Sequence, residues 1–136
     1  MAESFRFELV TPAALLISED AEQVVVPGQE GQFTVLRQHA PFITTLKPGI
    51  VDVTRPGGET QRFYVRGGFA DTTPEGLTVL ADVAVPETEL NAELIEAHIR
   101  EAEEEMGAAG EDMHRYAVAQ KRVSDLHDVR RWIIPA

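Results

Sequence analysis

Cysteine is absent from the 136 residues, so disulfides and thiolate chemistry are unavailable, and a small secreted scaffold held by disulfides is excluded. Long apolar runs are missing as well. No stretch approaches the roughly 18 consecutive apolar residues of a membrane span, and MAESFRFELV lacks the basic start and apolar core of a secretory signal. A soluble, unprocessed chain is expected, with any membrane link made through partners and without direct membrane insertion. Positive charge is scarce: 12 Lys and Arg against 23 Asp and Glu give a net charge of -11, so bare nucleic acid and anionic lipid would be repelled on average. The linear signatures of catalysis are missing too, with no G-x-S-x-G, no Walker A loop and no H-E-x-x-H. No active site is expected.

What is present suits a folded core, at 43% apolar and 26% charged residues. From Phe5 to about Val85 the chain reads as short strands cut by turns. Phe5, Phe7 and Leu9 alternate with Arg6 and Glu8, the period of a strand with one buried face. Leu15–Ile17 and Gln23–Val26 are short β-prone runs on either side of the polar Ser18–Glu22. Pro27-Gly28-Gln29-Glu30-Gly31, Lys47-Pro48-Gly49 and Arg55-Pro56-Gly57-Gly58 are turn signals, because proline halts ladder pairing and glycine accepts positive φ. The last of these joins Ile50–Val53 to Arg62–Phe69 as a hairpin. Gly67-Gly68 lacks phosphate-loop spacing and no helix follows it, so a bulge or a close backbone contact is expected there.

After Pro86 the period changes. Leu90, Leu94, Ile95, Ile99, Ala102 and Met106 recur at helical spacing behind Asn91 as N-cap, and Gly107-Ala108-Ala109-Gly110 breaks the pattern. A second, weaker stripe follows at Met113, Tyr116, Gln120, Val123 and Leu126, giving an antiparallel αα-hairpin. The fold class is therefore α+β: an N-terminal antiparallel β-sandwich over residues 1–86, then a two-helix hairpin over 87–136. Charge is split inside the hairpin. The first helix carries Glu93, Glu96, Glu101, Glu103, Glu104 and Glu105 against Arg100, and the second carries Arg115, Lys121, Arg122, Arg130 and Arg131. Exposed pairs contribute only about 0 to 1 kcal/mol each, so the hairpin can close without being locked. Folding it about residues 107–110 sets His98 opposite Ala119, away from His114 and His127. The four histidines, His39 included, then read as surface groups and no metal site is expected. The Glu101–Glu105 cluster reads as a solvated helix face.

VVVPGQEGQFTVLRQHAPFITTLKPGIV and FYVRGGFADTTPEGLTVLAD resemble the epsilon subunit of bacterial and chloroplast F-type ATP synthases, called delta in mitochondria. The landmarks are Pro27-Gly28, Glu30-Gly31, His39-Ala40-Pro41, Leu46-Lys47-Pro48-Gly49 and Gly67-Gly68-Phe69, in order and at family spacing. Thr11-Pro12 and the terminal hairpin extend the likeness over essentially the whole chain. Thr34 stands where the family usually has glycine, and Arg37 where proline is common.

The resemblance implies a ten-stranded sandwich at the foot of the central stalk of a proton-translocating rotary enzyme. It implies contact with the gamma subunit and with the membrane rotor ring of c subunits, at the cytoplasmic face of a bacterial inner membrane. The ring-facing loop maps onto Gln29, Glu30, Gly31 and Gln32, with His39 nearby, and Gln32 replaces an acid found in some members. The hairpin, when extended, would bring Lys121, Arg122, Arg130 and Arg131 to the alpha/beta catalytic hexamer and obstruct ATP hydrolysis. No cofactor is implied. Some members bind ATP through a motif of aliphatic, Asp, two variable residues, Arg and Ala; here Leu90, Asn91, Ala92, Glu93, Leu94 and Ile95 lack both the acid and the arginine, so no nucleotide site is expected. The rival reading is a free-standing ligand-binding sandwich with the hairpin as its lid.

Overall fold

A computed structural model describes residues 4–37 and 40–133, so His39 lies outside the described residues. The chain divides into two compact units, residues 1–87 and 88–136.

The first unit is a pair of five-stranded sheets. One contains β1 (Phe5–Val10), β2 (Leu15–Ala21), β5 (Phe42–Thr45), β8 (Phe69–Thr73) and β9 (Gly76–Leu80), in the order β2-β1-β9-β8-β5. The other contains β3 (Gln23–Gly28), β4 (Gly31–Leu36), β6 (Gly49–Thr54), β7 (Thr60–Arg66) and β10 (Val83–Pro86), in the order β10-β7-β6-β3-β4. Alternation decides what fills the space between them. Phe7 and Leu9 on β1, Val24 and Val26 on β3, Val51 and Val53 on β6, and Leu77 and Val79 on β9 are buried in one core. Each such side chain contributes about 1.5–3 kcal/mol on leaving water, and the residues between them face outward.

Among the described residues pairing is antiparallel with one exception: β1 runs parallel to β9, Phe7 opposite Leu77 and Val10 opposite Leu80. The β6–β7 hairpin expected from the sequence forms with Thr54 opposite Thr60, and the Arg55 N–H donates to the Glu59 carbonyl at 2.7 Å across the turn. The polar run from Ser18 differs from expectation, since β2 continues through Ser18, Glu19 and Asp20 to Ala21. An edge strand tolerates polar side chains, and these have partners. Arg6 meets Asp20 at 3.8 Å, and Arg55 meets Glu19 at 2.8 Å.

The second unit is an αα-hairpin of α1 (Ala92–Ala108) and α2 (Met113–Trp132). The Asn91 side chain accepts from the Leu94 N–H at 2.9 Å, and Asp112 caps α2 in the same way through Arg115 at 3.0 Å. Helix α1 passes through Gly107, where a break was expected, and stops only at Ala109 and Gly110, whose φ of 58 supplies the left-handed turn. The buried stripe of α1 is Ile95, His98, Ile99 and Ala102. On α2 it is Ala119, Asp125, Leu126 and Val129, whereas Met113, Tyr116 and Gln120 of the expected stripe are exposed. Near the turn the buried positions are the alanines Ala109 and Ala119, not large apolar residues.

Candidate functional site

The β3–β4 hairpin ends in a two-residue loop, Gln29-Glu30, between the paired Gly28 and Gly31. Its base is tied down twice: the Gln29 N–H donates to the Thr45 carbonyl at 2.9 Å, and the Lys47 N–H to the Pro27 carbonyl at 3.0 Å. Phe33 on β4 and Phe42 on β5 add an edge-to-face ring contact at 5.0 Å. The result is a polar tip on a rigid base, with Gln29, Glu30 and Gln32 all exposed. His39, expected nearby, lies outside the described residues.

Thr45 also marks the end of a second feature. Outward-facing positions of the β2-β1-β9-β8-β5 sheet form cross-strand rows, and one row is apolar: Val10 opposite Leu80, Leu80 opposite Phe69, Phe69 opposite Thr45. Leu15 extends it on the edge strand at 56% exposure, and Ile43 flanks it at 68%. The next outward row, Glu8, Thr78 and Asp71, is polar until it ends in Ile43 on β5. Apolar surface is thus concentrated at the end of this face where the Gln29-Glu30 tip is anchored. No sequence signal marked the row, because its members are scattered over five strands and only the register aligns them.

On α2 the expected cations do not behave alike. Lys121 turns along its own helix to Asp125, with Nζ at 3.0 Å from Oδ2 and 3.3 Å from Oδ1. Arg122 crosses to Glu105 at 2.8 Å, and Arg130 crosses to Glu96 at 3.3 Å. Arg131 is exposed and has no ion pair with another described residue. The two crossing pairs place His98 about level with Asp128, not with Ala119. His98 is buried and so is not the surface group expected. Among the described residues, no group of three or more His, Asp or Glu side chains is placed to hold a metal.

No helix among the described residues is long and apolar enough to cross a membrane. The groove beside Val35, Leu36, Arg37 and Thr72–Gly76 measures about 180 Å³ and the cleft beside Glu105, His114, Arg115 and Val118 about 310 Å³, below and at the foot of the roughly 300–1,000 Å³ of typical ligand pockets. These features suit docking better than enclosure of a small molecule.

Residues 4–87 match the family described as ATP synthase, Delta/Epsilon chain, beta-sandwich domain. The full chain is 44% identical over 136 residues to the ATP synthase epsilon chain of Mesorhizobium japonicum, covering 100% of both chains. It is 43% identical, at the same coverage, to that of Rhizobium meliloti. Among solved structures, a chain of the Euglena gracilis mitochondrial ATP synthase, determined with OSCP, F1 and c-ring, superposes with a TM-score of 0.71 at 21% identity, over 94% of this chain and 80% of that one.

Proposed function

The chain belongs to the ATP synthase delta/epsilon chain family as an accessory, non-catalytic subunit, and on that premise we propose that its sandwich is the coupling element of the central stalk. The observation that carries this reading is the apolar row Val10–Leu80–Phe69, which a solitary sandwich would leave against water. The row docks on the gamma subunit. The Gln29-Glu30 tip beside it then meets polar loops of the c-subunit ring, with Gln32 and His39 as further contacts. A well-packed apolar patch suits torque transmission better than scattered rim charges, which mainly steer encounter. The complex holds the subunit peripherally at the cytoplasmic face of the bacterial inner membrane.

Copurification tests this. The subunit should travel with gamma and the catalytic hexamer, and residues 1–87 should still bind gamma without the hairpin. Elution alone, or loss of gamma binding on that truncation, would refute the division of labour.

The charge of α2 favours a second role. With the hairpin extended, Arg122, Arg130 and Arg131, joined by Lys121, approach acidic segments of the alpha/beta hexamer and restrain ATP hydrolysis. Deleting residues 88–136 should raise hydrolysis by the reconstituted enzyme, and an unchanged rate would end this part of the proposal.

A further inference from the structure

Helix α2 is a basic element in an acidic chain, with five basic and two acidic residues between Met113 and Trp132. Helix α1 carries six acidic residues and one basic between Ala92 and Ala108. The ion pairs between and within these helices fall into two kinds. The Lys121–Asp125 pair is internal to α2 and survives any separation of the helices. The Arg122–Glu105 and Arg130–Glu96 pairs join the helices and cannot survive it.

We propose that Glu96 and Glu105 are an internal competitor for an acidic protein segment, occupying in the closed hairpin the same two guanidiniums that the segment must engage. The proposal rests on the reading of α2 as a surface for anionic partners, and it assigns the residues that regulate access to that surface. Arg122 and Arg130 lie eight residues apart, about 12 Å along the helix axis, so the matching partner presents two carboxylates at about that spacing. Guanidinium forks donate to carboxylates from either source with the same geometry. The side chains of all four residues are 33–53% exposed, so water and a partner's carboxylates can reach the pairs without unfolding the helices. Lys121 is not released by this exchange, because its partner Asp125 lies on α2 itself and moves with it.

The test uses the full chain and fluorescently labelled poly-L-glutamate as probe, at about 0.15 M salt, where screening over ~8 Å leaves chiefly contact charges in play. Three variants are compared. E96Q/E105Q removes the competitor. E93Q/E103Q makes the same charge change at α1 glutamates outside these pairs. The quadruple variant adds R122Q and R130Q to the first. E96Q/E105Q should bind the probe on the order of tenfold more tightly than E93Q/E103Q, as two exposed pairs of ordinary strength allow. The gain should vanish in the quadruple variant. Equal affinity of the two double variants, or a gain that persists without the arginines, overturns the proposal. Hydrolysis by enzyme lacking residues 88–136 is read separately, so loss of the inhibitory reading leaves the poly-L-glutamate result standing, and the reverse also holds.

Discussion

A Cβ placed on Gly68 would stand 1.8 Å from the carbonyl oxygen of Leu80, so the backbones of the Gly67-Gly68 turn and the end of β9 touch with no room for a side chain. The contact is used, since the Gly68 carbonyl also accepts the Leu46 N–H at 3.0 Å. With φ at 100, alanine there meets both a clash and a strained backbone. Gly68→Ala should destabilise the sandwich by about 3 kcal/mol or more, visible as a fall in Tm of more than about 10 °C. A melt within a few degrees of the parent would contradict the contact.

Gly107 makes the opposite case. It lies inside α1, is exposed, and a Cβ on it would meet nothing within 4 Å. Gly107→Ala should therefore stabilise the helix by about 0.5–1 kcal/mol, since glycine alone pays the extra backbone entropy. Denaturant unfolding followed by helical circular dichroism measures it, and a loss of stability would mean that the helix does not run through this position.

Lys121→Met keeps the apolar stem and removes the charge that faces Asp125. Because Asp125 is buried, the change should cost about 1 kcal/mol, and Asp125→Asn in the same chain should restore most of it. Equal destabilisation by the single and double variants would show that the pair is not coupled. This coupling also makes charge reversal at Lys121 a poor probe of inhibition, since it perturbs the helix itself.

Phe69→Asp puts a charge in the middle of the apolar row at a position 39% exposed, so the fold should survive. Gamma association should weaken at least tenfold, as for loss of a central aromatic anchor. The same substitution at Thr78, in the polar row, should leave binding within about twofold of the parent, because rim changes of this kind contribute little. Equal effects at both positions would remove the row from the interface.

Titration of the isolated subunit with ATP at millimolar concentration should give no binding heat. Leu94 stands where nucleotide-binding members have arginine, and Arg122, an alternative donor, is engaged by Glu105. Saturable heat at or below that concentration would refute the expectation.

The Pro-Gly turns, the β6–β7 hairpin and the Asn91 cap were legible because each depends on local chemistry: ring constraint, positive φ or a side chain reaching its own helix end. The rest was hidden in proportion to its distance along the chain. Nothing near Phe7 announces a parallel partner at Leu77, and nothing near Val10 announces Leu80 and Phe69, so the apolar row appeared only with the register. Within the candidate site, Gln29 and Glu30 were recognisable as an exposed turn. The distinct roles of Lys121 and Arg122 were not, because adjacent residues on a helix point about 100° apart and only the partner helix decides which of them crosses.

The parallel pairing of β1 with β9 bears on how the chain is made. During synthesis Phe5, Phe7 and Leu9 leave the ribosome well before the inner neighbour of their strand, Gly76–Leu80, which is added about seventy residues later. At roughly 5–20 residues per second, several seconds pass in which β2 is the only partner available to β1 from its own sheet. A nascent chain of this design holds an unfinished apolar edge for that interval, and it invites a holding chaperone until β9 arrives to close the sheet.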